Sequence, residues 1–184
     1  PAEKLFYKLL NASLFVFQTI LSRIGWFLLL LLLQVLVFNH IHIMGYATPM
    51  PYVYFLLILP SDTPRWLYIL LGFLLGVLID IFGNTPGMAA ATMTAIGLIT
   101  PLLFNLFGPR DRDKDDNILP SMRTMERWPF VRYLLTAVFL QCLIFFSIES
   151  FSFFNWTFLL INIAGSTVLT TLFCIALELI RKKP

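Results

Sequence analysis

The chain has 184 residues, of which 59% are hydrophobic and 12% charged, and a soluble domain of this length could not bury that much apolar surface. Its formal net charge of +3 follows from 13 basic and 10 acidic residues, whose placement along the chain fits membrane topology and not a nucleic-acid-binding patch. Composition therefore predicts an all-α polytopic membrane protein that binds membrane lipid and no nucleic acid.

Residues 1–23 form the first element. Leu5, Phe6, Leu9 and Leu10 have helical spacing, but polar residues such as Lys8 interrupt the apolar pattern. We interpret this extension as a helix lying on the cytoplasmic leaflet. A partly ordered tail is the alternative.

Six apolar runs follow and predict about six transmembrane helices, at residues 24–44, 46–59, 65–82, 87–107, 129–148 and 157–179. The second run is short and bracketed by Pro49, Pro51 and Pro60, so it could be a tilted, broken or partial span.

Basic residues decide the orientation. With six crossings, all 13 Lys and Arg residues fall on one side, in the extension, the cytoplasmic loop 108–128, the tail 181–184 and the short segments between spans. Because Lys and Arg are retained on the cytoplasmic side during insertion, we expect both termini to be cytoplasmic. A short aromatic loop at residues 151–156 is expected at the external interface.

The third run carries the most informative polar pattern. Gly72, Gly76, Asp80 and Asn84 lie four residues apart and predict one helix stripe, on which the two glycines allow a close helix neighbour. Gly87, Ala91 and Ala95 predict a small face on the fourth run, and a tight turn that includes Pro86 joins the two. The list of candidate helix-packing or partner-binding residues is Gly72, Gly76, Asp80, Asn84, Pro86 and Gly87.

The free energy of inserting a charged side chain such as Asp80 is about 2.5–3.5 kcal/mol at the membrane centre, and it is lower near the external end, where we place this residue. It could be a structural acid, line a cavity for a solute or proton, or contact a partner. No cation is expected on that side, so we predict that Asn, Thr or backbone donors bind its carboxylate.

The sixth run has a second polar stripe, which predicts hydrogen bonds between helices. Its members are Asn162, Ser166, Thr170, Cys174 and Glu178. Glu178 lies near the cytoplasmic end, and we interpret it as a residue whose carboxylate reaches interfacial water.

No residue pattern predicts catalysis, a metal or a cofactor. His40 and His42 are two apart and point away from each other on a helix, and the acidic residues of 111–116 alternate with cations and lack a calcium-loop pattern. Cys142 and Cys174 fall inside predicted spans, so we expect buried thiols and no disulfide. The chain is therefore expected not to be an enzyme.

Residues 71–87, LGFLLGVLIDIFGNTPG, resemble the best-defined motif of the rod shape-determining protein MreD family, a Gly-rich helix that reaches an Asp before a turn with Pro and Gly. QVLVFNHI at 34–41, the stretch 51–66 ending in LPSDTPRW, and FGPRD at 107–111 resemble Bacteroidetes-type members.

The resemblance implies a non-enzymatic inner-membrane subunit of the cell-elongation machinery. Such a subunit would bind the single-pass protein MreC and, indirectly, RodA, a class B transpeptidase and MreB. The family is also similar to the six-helix substrate-binding subunits of ECF transporters. A solute-binding membrane component, with an external cavity lined by Asn39, His40, Asp80 and Asn84, is therefore the alternative function.

Overall fold

A computed structural model describes residues 2–38, 48–109, 118–150 and 156–181, and this part of the chain is helical without a β-strand. Its helices are α1 (Ala2–Leu36), α2 (Tyr54–Leu57), α3 (Arg65–Gly83), α4 (Met88–Phe107), α5 (Arg127–Glu149) and α6 (Trp156–Ile180). Five stretches of the described residues are long and apolar enough to cross a membrane: Phe17–Leu36 within α1, and the whole of α3, α4, α5 and α6. The prediction of an all-α polytopic membrane protein is confirmed.

Helix α1 is one uninterrupted helix of 35 residues, about 52 Å long at 1.5 Å per residue. Its apolar membrane-spanning window begins at Phe17 and ends at Leu36. The helix therefore continues through Arg23 and Ile24, where the sequence predicted a boundary between an interfacial helix and a first span.

The described part of the run at residues 46–59 contains no helix long enough to cross a membrane, in keeping with the broken or partial span that the sequence allowed. Its described part contains a three-residue 3-10 turn, Pro51–Val53, and the four-residue helix α2. Pro49 and Pro51 have no backbone N–H to donate, and a proline ring clashes with a preceding helical turn, which explains why no regular helix forms here. The segment is nevertheless the centre of the core, because every residue of Pro51–Val53 and α2 is buried.

The four long helices that follow alternate in direction. Hydrogen bonds tie the loop before α3 to the loop between α4 and α5, since Ser61 N donates to Ile118 O and Ile118 N donates to Ser61 Oγ, each at 3.0 Å. Arg181, just after α6, donates to Pro120 O at 3.3 Å. One end of the bundle therefore holds the starts of α3 and α5 and the ends of α4 and α6.

This end carries a set of basic residues, and we call it the cationic face; its described members outside α1 are Arg65, Arg123, Arg127, Arg132 and Arg181. Among them, Arg181 is the one with an ion pair in the described part of the chain, to Glu178 at 3.3 Å. The turn between α3 and α4 lies at the opposite end.

Residues 48–57 form a segment that we call the central segment. Helix α1 and this segment run in opposite directions. Trp26 packs edge-on against Tyr54, with ring centroids 5.8 Å apart, and the Gln34 amide donates to Pro49 O at 3.4 Å. The Tyr54 hydroxyl in turn contacts Glu178 near the cationic face. The chain therefore leaves the cationic face along α1 and returns towards it through the buried residues 48–57.

Candidate functional site

Helices α3 and α4 approach each other at glycine positions, as the small-residue stripe predicts. A Cβ atom added at Gly76 would lie 2.5 Å from Ala90 Cα and 2.6 Å from Ala89 O, and one added at Gly72 would lie 2.6 Å from Met93 O. On the other side, a Cβ at Gly97 would lie 2.6 Å from the backbone oxygen of Tyr68. Since these are backbone atoms, neither helix has a flexible side chain that could yield.

Asp80 lies one turn beyond this contact and binds the start of α4. Its Oδ1 accepts hydrogen bonds from Ala89 N at 2.9 Å and from the Thr85 hydroxyl at 2.8 Å, and its Oδ2 accepts one from Ala90 N at 2.8 Å. The first amides of a helix lack intrahelical partners, and a carboxylate there also opposes the positive end of the helix dipole. The prediction that Thr and backbone donors bind this buried acid is confirmed.

Asn84, Pro86 and Gly87 form the turn and do not continue the stripe. Asn84 ends α3 in a left-handed conformation, with φ 52° and ψ 38°, which turns its side chain away from the line of Gly72, Gly76 and Asp80. All three turn residues are exposed. Gly87 also has a positive φ of 81°, which L-residues rarely adopt, so its role is to begin α4 and not to pack against α3.

The contact face of α4 differs from the predicted one. Ala89 and Ala90 are buried against α3, whereas Ala91 is exposed and Ala95 is half-buried. The run Ala89–Ala91 offers three small residues, and four-residue spacing alone does not decide which of them faces the neighbour. Asp80 decides it, because its carboxylate fixes the amides of Ala89 and Ala90.

Two residues of the polar stripe of α6 accept hydrogen bonds from the backbone of the central segment. Thr48 N donates to Ser166 Oγ at 3.0 Å, and Met50 N donates to Thr170 Oγ1 at 2.9 Å. These two amides flank Pro49, and α6 supplies them with side-chain acceptors. The predicted hydrogen-bonding role of the stripe is correct for these two residues, but the partner is an irregular segment.

Glu178 is the residue whose environment the sequence most misjudged. Its side chain is 7% exposed and does not reach interfacial water. It accepts hydrogen bonds from the Tyr54 hydroxyl and from Met122 N, the latter at 3.1 Å, and pairs with Arg181. The carboxylate thus joins the end of α6, the central segment and the loop before α5.

Sequence reasoning missed Tyr54, Met122 and Arg181 as partners of Glu178. The sequence did contain a signal for Arg181, because it follows Glu178 by three residues and side chains at that spacing meet on a helix. Tyr54 is 124 residues away, and nothing in the sequence linked it to α6.

Cys142 and Cys174 are buried free thiols, as predicted. Several earlier predictions concern residues outside the described part of the chain: Asn39, His40 and His42, the acidic loop residues 111–116, the aromatic residues 151–155, and Lys182 and Lys183. Of the residues named for a solute cavity, Asp80 is buried and bound by three donors, and Asn84 is exposed.

Comparison with known proteins finds no matching family model, no matching curated protein and no matching solved structure.

Proposed function

We propose that the chain is a non-enzymatic scaffold subunit of a bacterial cell-elongation complex, of the kind that its resemblance to the MreD family implies. It would bind the transmembrane and juxtamembrane part of MreC and help organise peptidoglycan synthesis, with RodA, a class B transpeptidase and MreB as indirect partners. The observation that carries the proposal is the hairpin of α3 and α4, which contains the motif of residues 71–87. A hairpin fixed by backbone contacts and by Asp80 is suited to presenting a constant surface to another helix.

The buried position of the motif residues determines how they would act. Gly72, Gly76 and Asp80 are buried inside the hairpin, so a partner helix does not need to touch them. They would instead set the relative placement of α3 and α4, whose outer faces expose large apolar side chains such as Phe73 and Leu102. A partner that packs on those faces would depend on the relative placement of α3 and α4 that the motif maintains.

We also propose that the protein lies in the bacterial inner membrane with its cationic face in the cytoplasm. The support is the grouping of Arg65, Arg123, Arg127, Arg132 and Arg181 at one end of the bundle, because cytoplasmic loops near span ends carry an excess of Lys and Arg. Under this orientation both termini are cytoplasmic.

The test is affinity purification of the tagged protein in mild detergent, with mass spectrometry of the proteins that co-purify. We expect recovery of MreC with the wild-type protein and with Gly25→Leu, because Gly25 is exposed and a Cβ added there meets no atom within 4 Å. Gly76→Leu should lose MreC and fail to support rod shape, because the leucine would separate α3 from α4. Normal assembly and normal cell shape with Gly76→Leu would contradict the proposal.

A second candidate function is solute binding, and one observation favours it. Buried side-chain atoms of Gln141, Asn162, Thr167 and Thr171 have no hydrogen-bond partner among the described residues. Unpaired polar groups in a helix bundle core cost free energy, and a bound polar solute would satisfy them. This set lies on α5 and α6.

Mass spectrometry of small molecules extracted from the detergent-purified protein tests this alternative. A retained polar solute that is lost in Gln141→Leu would support it. Recovery of an energising ATPase pair in place of MreC would make solute binding the better proposal.

A further inference from the structure

A pocket opens on the cationic face between the end of α4 and the start of α5. Its volume is about 410 Å³, which lies within the range of small-molecule sites. Leu106 and Phe107 line it from α4, and Pro129 and Arg132 line it from α5. Phe104 and Tyr133, whose rings lie 6.2 Å apart just below this level, close the gap between the two helices deeper in the bundle.

The pocket lining combines apolar side chains with one cation, Arg132, and one anion, Glu126. Arg132 is exposed, and no carboxylate of the described residues lies within ion-pair distance of it. Residues 118–132 hold three arginines and one glutamate, so this stretch has a net charge of +2. Within the described residues, the pocket therefore offers one guanidinium that has no ion-pair partner and lies beside apolar side chains.

The position of the pocket places it at the boundary between membrane and water. Trp128, in the first turn of α5, is 76% exposed, and exposed tryptophans of membrane proteins concentrate at that boundary. Leu98, Leu102 and Leu106 are more than half exposed and four residues apart, so they form an apolar track along α4 that leads from the pocket towards the membrane interior.

Backbone strain marks the same pocket. Glu126, which lines it, has φ 63° and ψ 164°, a conformation that is almost confined to glycine and costs about 1–3 kcal/mol. Its carboxylate is the one acidic group of residues 118–132, so neutralising Glu126 should change the affinity of the pocket for an anion.

We propose that this pocket binds an anionic phospholipid. Arg132 contacts the headgroup phosphate, the apolar walls surround the glycerol and the first acyl carbons, and the leucine track of α4 carries one acyl chain. A zwitterionic phospholipid has the same phosphate but also brings a cationic group to a stretch, residues 118–132, whose net charge is +2 even with Glu126 included, so it is bound less well. The site is independent of the proposed role in cell elongation.

The test uses the full chain, delipidated in dodecyl maltoside, with native mass spectrometry to count retained lipids as phosphatidylglycerol or phosphatidylcholine is titrated. We expect one saturable phosphatidylglycerol per chain and weaker phosphatidylcholine binding. Arg132→Gln should weaken phosphatidylglycerol binding about fivefold, the effect of one cation at a membrane surface. Glu126→Gln should strengthen it. Arg65→Gln removes an exposed cation of the same face that does not line the pocket, and it should leave the affinity unchanged.

Three outcomes would overturn the proposal. Equal weakening by Arg65→Gln and Arg132→Gln would show diffuse surface charge in place of a site. Equal retention of the two lipids would remove the role of headgroup charge. Displacement of phosphatidylglycerol by inorganic phosphate at a similar concentration would show an anion site that does not use the acyl chain. Arg132 is exposed and its side chain contacts no described ion-pair partner, so the variant should fold normally, which gel filtration of the same sample checks.

Discussion

Gly76→Ala adds one carbon to the contact between α3 and α4, and the structure gives the size of the resulting overlap. The new Cβ would lie 2.5 Å from Ala90 Cα, so the helices would have to separate by about 0.9 Å to restore an ordinary contact of 3.4 Å. That movement also lengthens the bonds from Asp80 to the amides of Ala89 and Ala90, which are 2.9 and 2.8 Å long. Overpacking costs about 1–3 kcal/mol and weakened hydrogen bonds to a charged group add to it, so we expect a loss of about 2–4 kcal/mol.

The two buried cysteines provide the assay. Cys142 and Cys174 are 0% exposed, so a thiol-reactive fluorescent dye reacts with them only as the protein unfolds. For a chain of this size each kcal/mol moves Tm by about 2–4 °C, so Gly76→Ala should lower Tm by at least about 4 °C in detergent.

Gly25→Ala is the matched control, because its Cβ would meet no atom within 4 Å and alanine favours a helix over glycine by about 1 kcal/mol. It should leave Tm unchanged or raise it. Equal Tm values for Gly76→Ala and the wild type would refute the close contact of α3 and α4.

Three further substitutions test the other features of the site by the same melting assay. Asp80→Asn leaves one acceptor where a carboxylate binds three donors, and it should cost about 1.5–3 kcal/mol; an unchanged Tm would mean that the carboxylate does not hold the start of α4. Gly87→Ala should cost about 1 kcal/mol although its Cβ has open space, because φ is 81°; a rise in Tm like that of an ordinary helical glycine would contradict this. Glu178→Ala leaves the half-buried Arg181 without its carboxylate partner and should cost about 3–5 kcal/mol, whereas the pair Glu178→Ala with Arg181→Ala should cost less than the two single effects together.

Local spacing predicted the α3–α4 hairpin well because its interactions are local in the chain. Gly72 meets Met93 and Gly76 meets Ala89 and Ala90, so both contacts form across one short turn. An acid near the end of one helix has few donors available besides the start of the next. The predicted position of Asn84 on the stripe was wrong, because Asn84 adopts a left-handed conformation that ends the helix. Helical periodicity does not predict where a helix ends.

Long-range partners account for what the sequence could not predict. The segment at residues 46–59 was counted as a tilted, broken or partial span because six crossings place all Lys and Arg residues on one side. That argument could not show that two of its backbone amides donate to α6, more than 115 positions later in the chain. Glu178 was read as an interfacial residue because it lies near the cytoplasmic end of its span, and its partner Tyr54, 124 positions away, could not be foreseen. Hydropathy measures the apolar character of a segment and does not distinguish lipid from protein as its surroundings.

The dependence of the central segment on α6 has a consequence for biogenesis. Thr48 and Ser166 are separated by 118 residues, so at about 5–20 residues per second the amide of Thr48 is synthesised roughly 6–24 s before its acceptor. During that interval the segment cannot rest in lipid with its amides unpaired. It has to stay hydrated or be sheltered by the insertion machinery, and it enters the bundle after the last helix is made. The N-terminal half of this membrane domain is therefore unable to mature ahead of the C-terminal half.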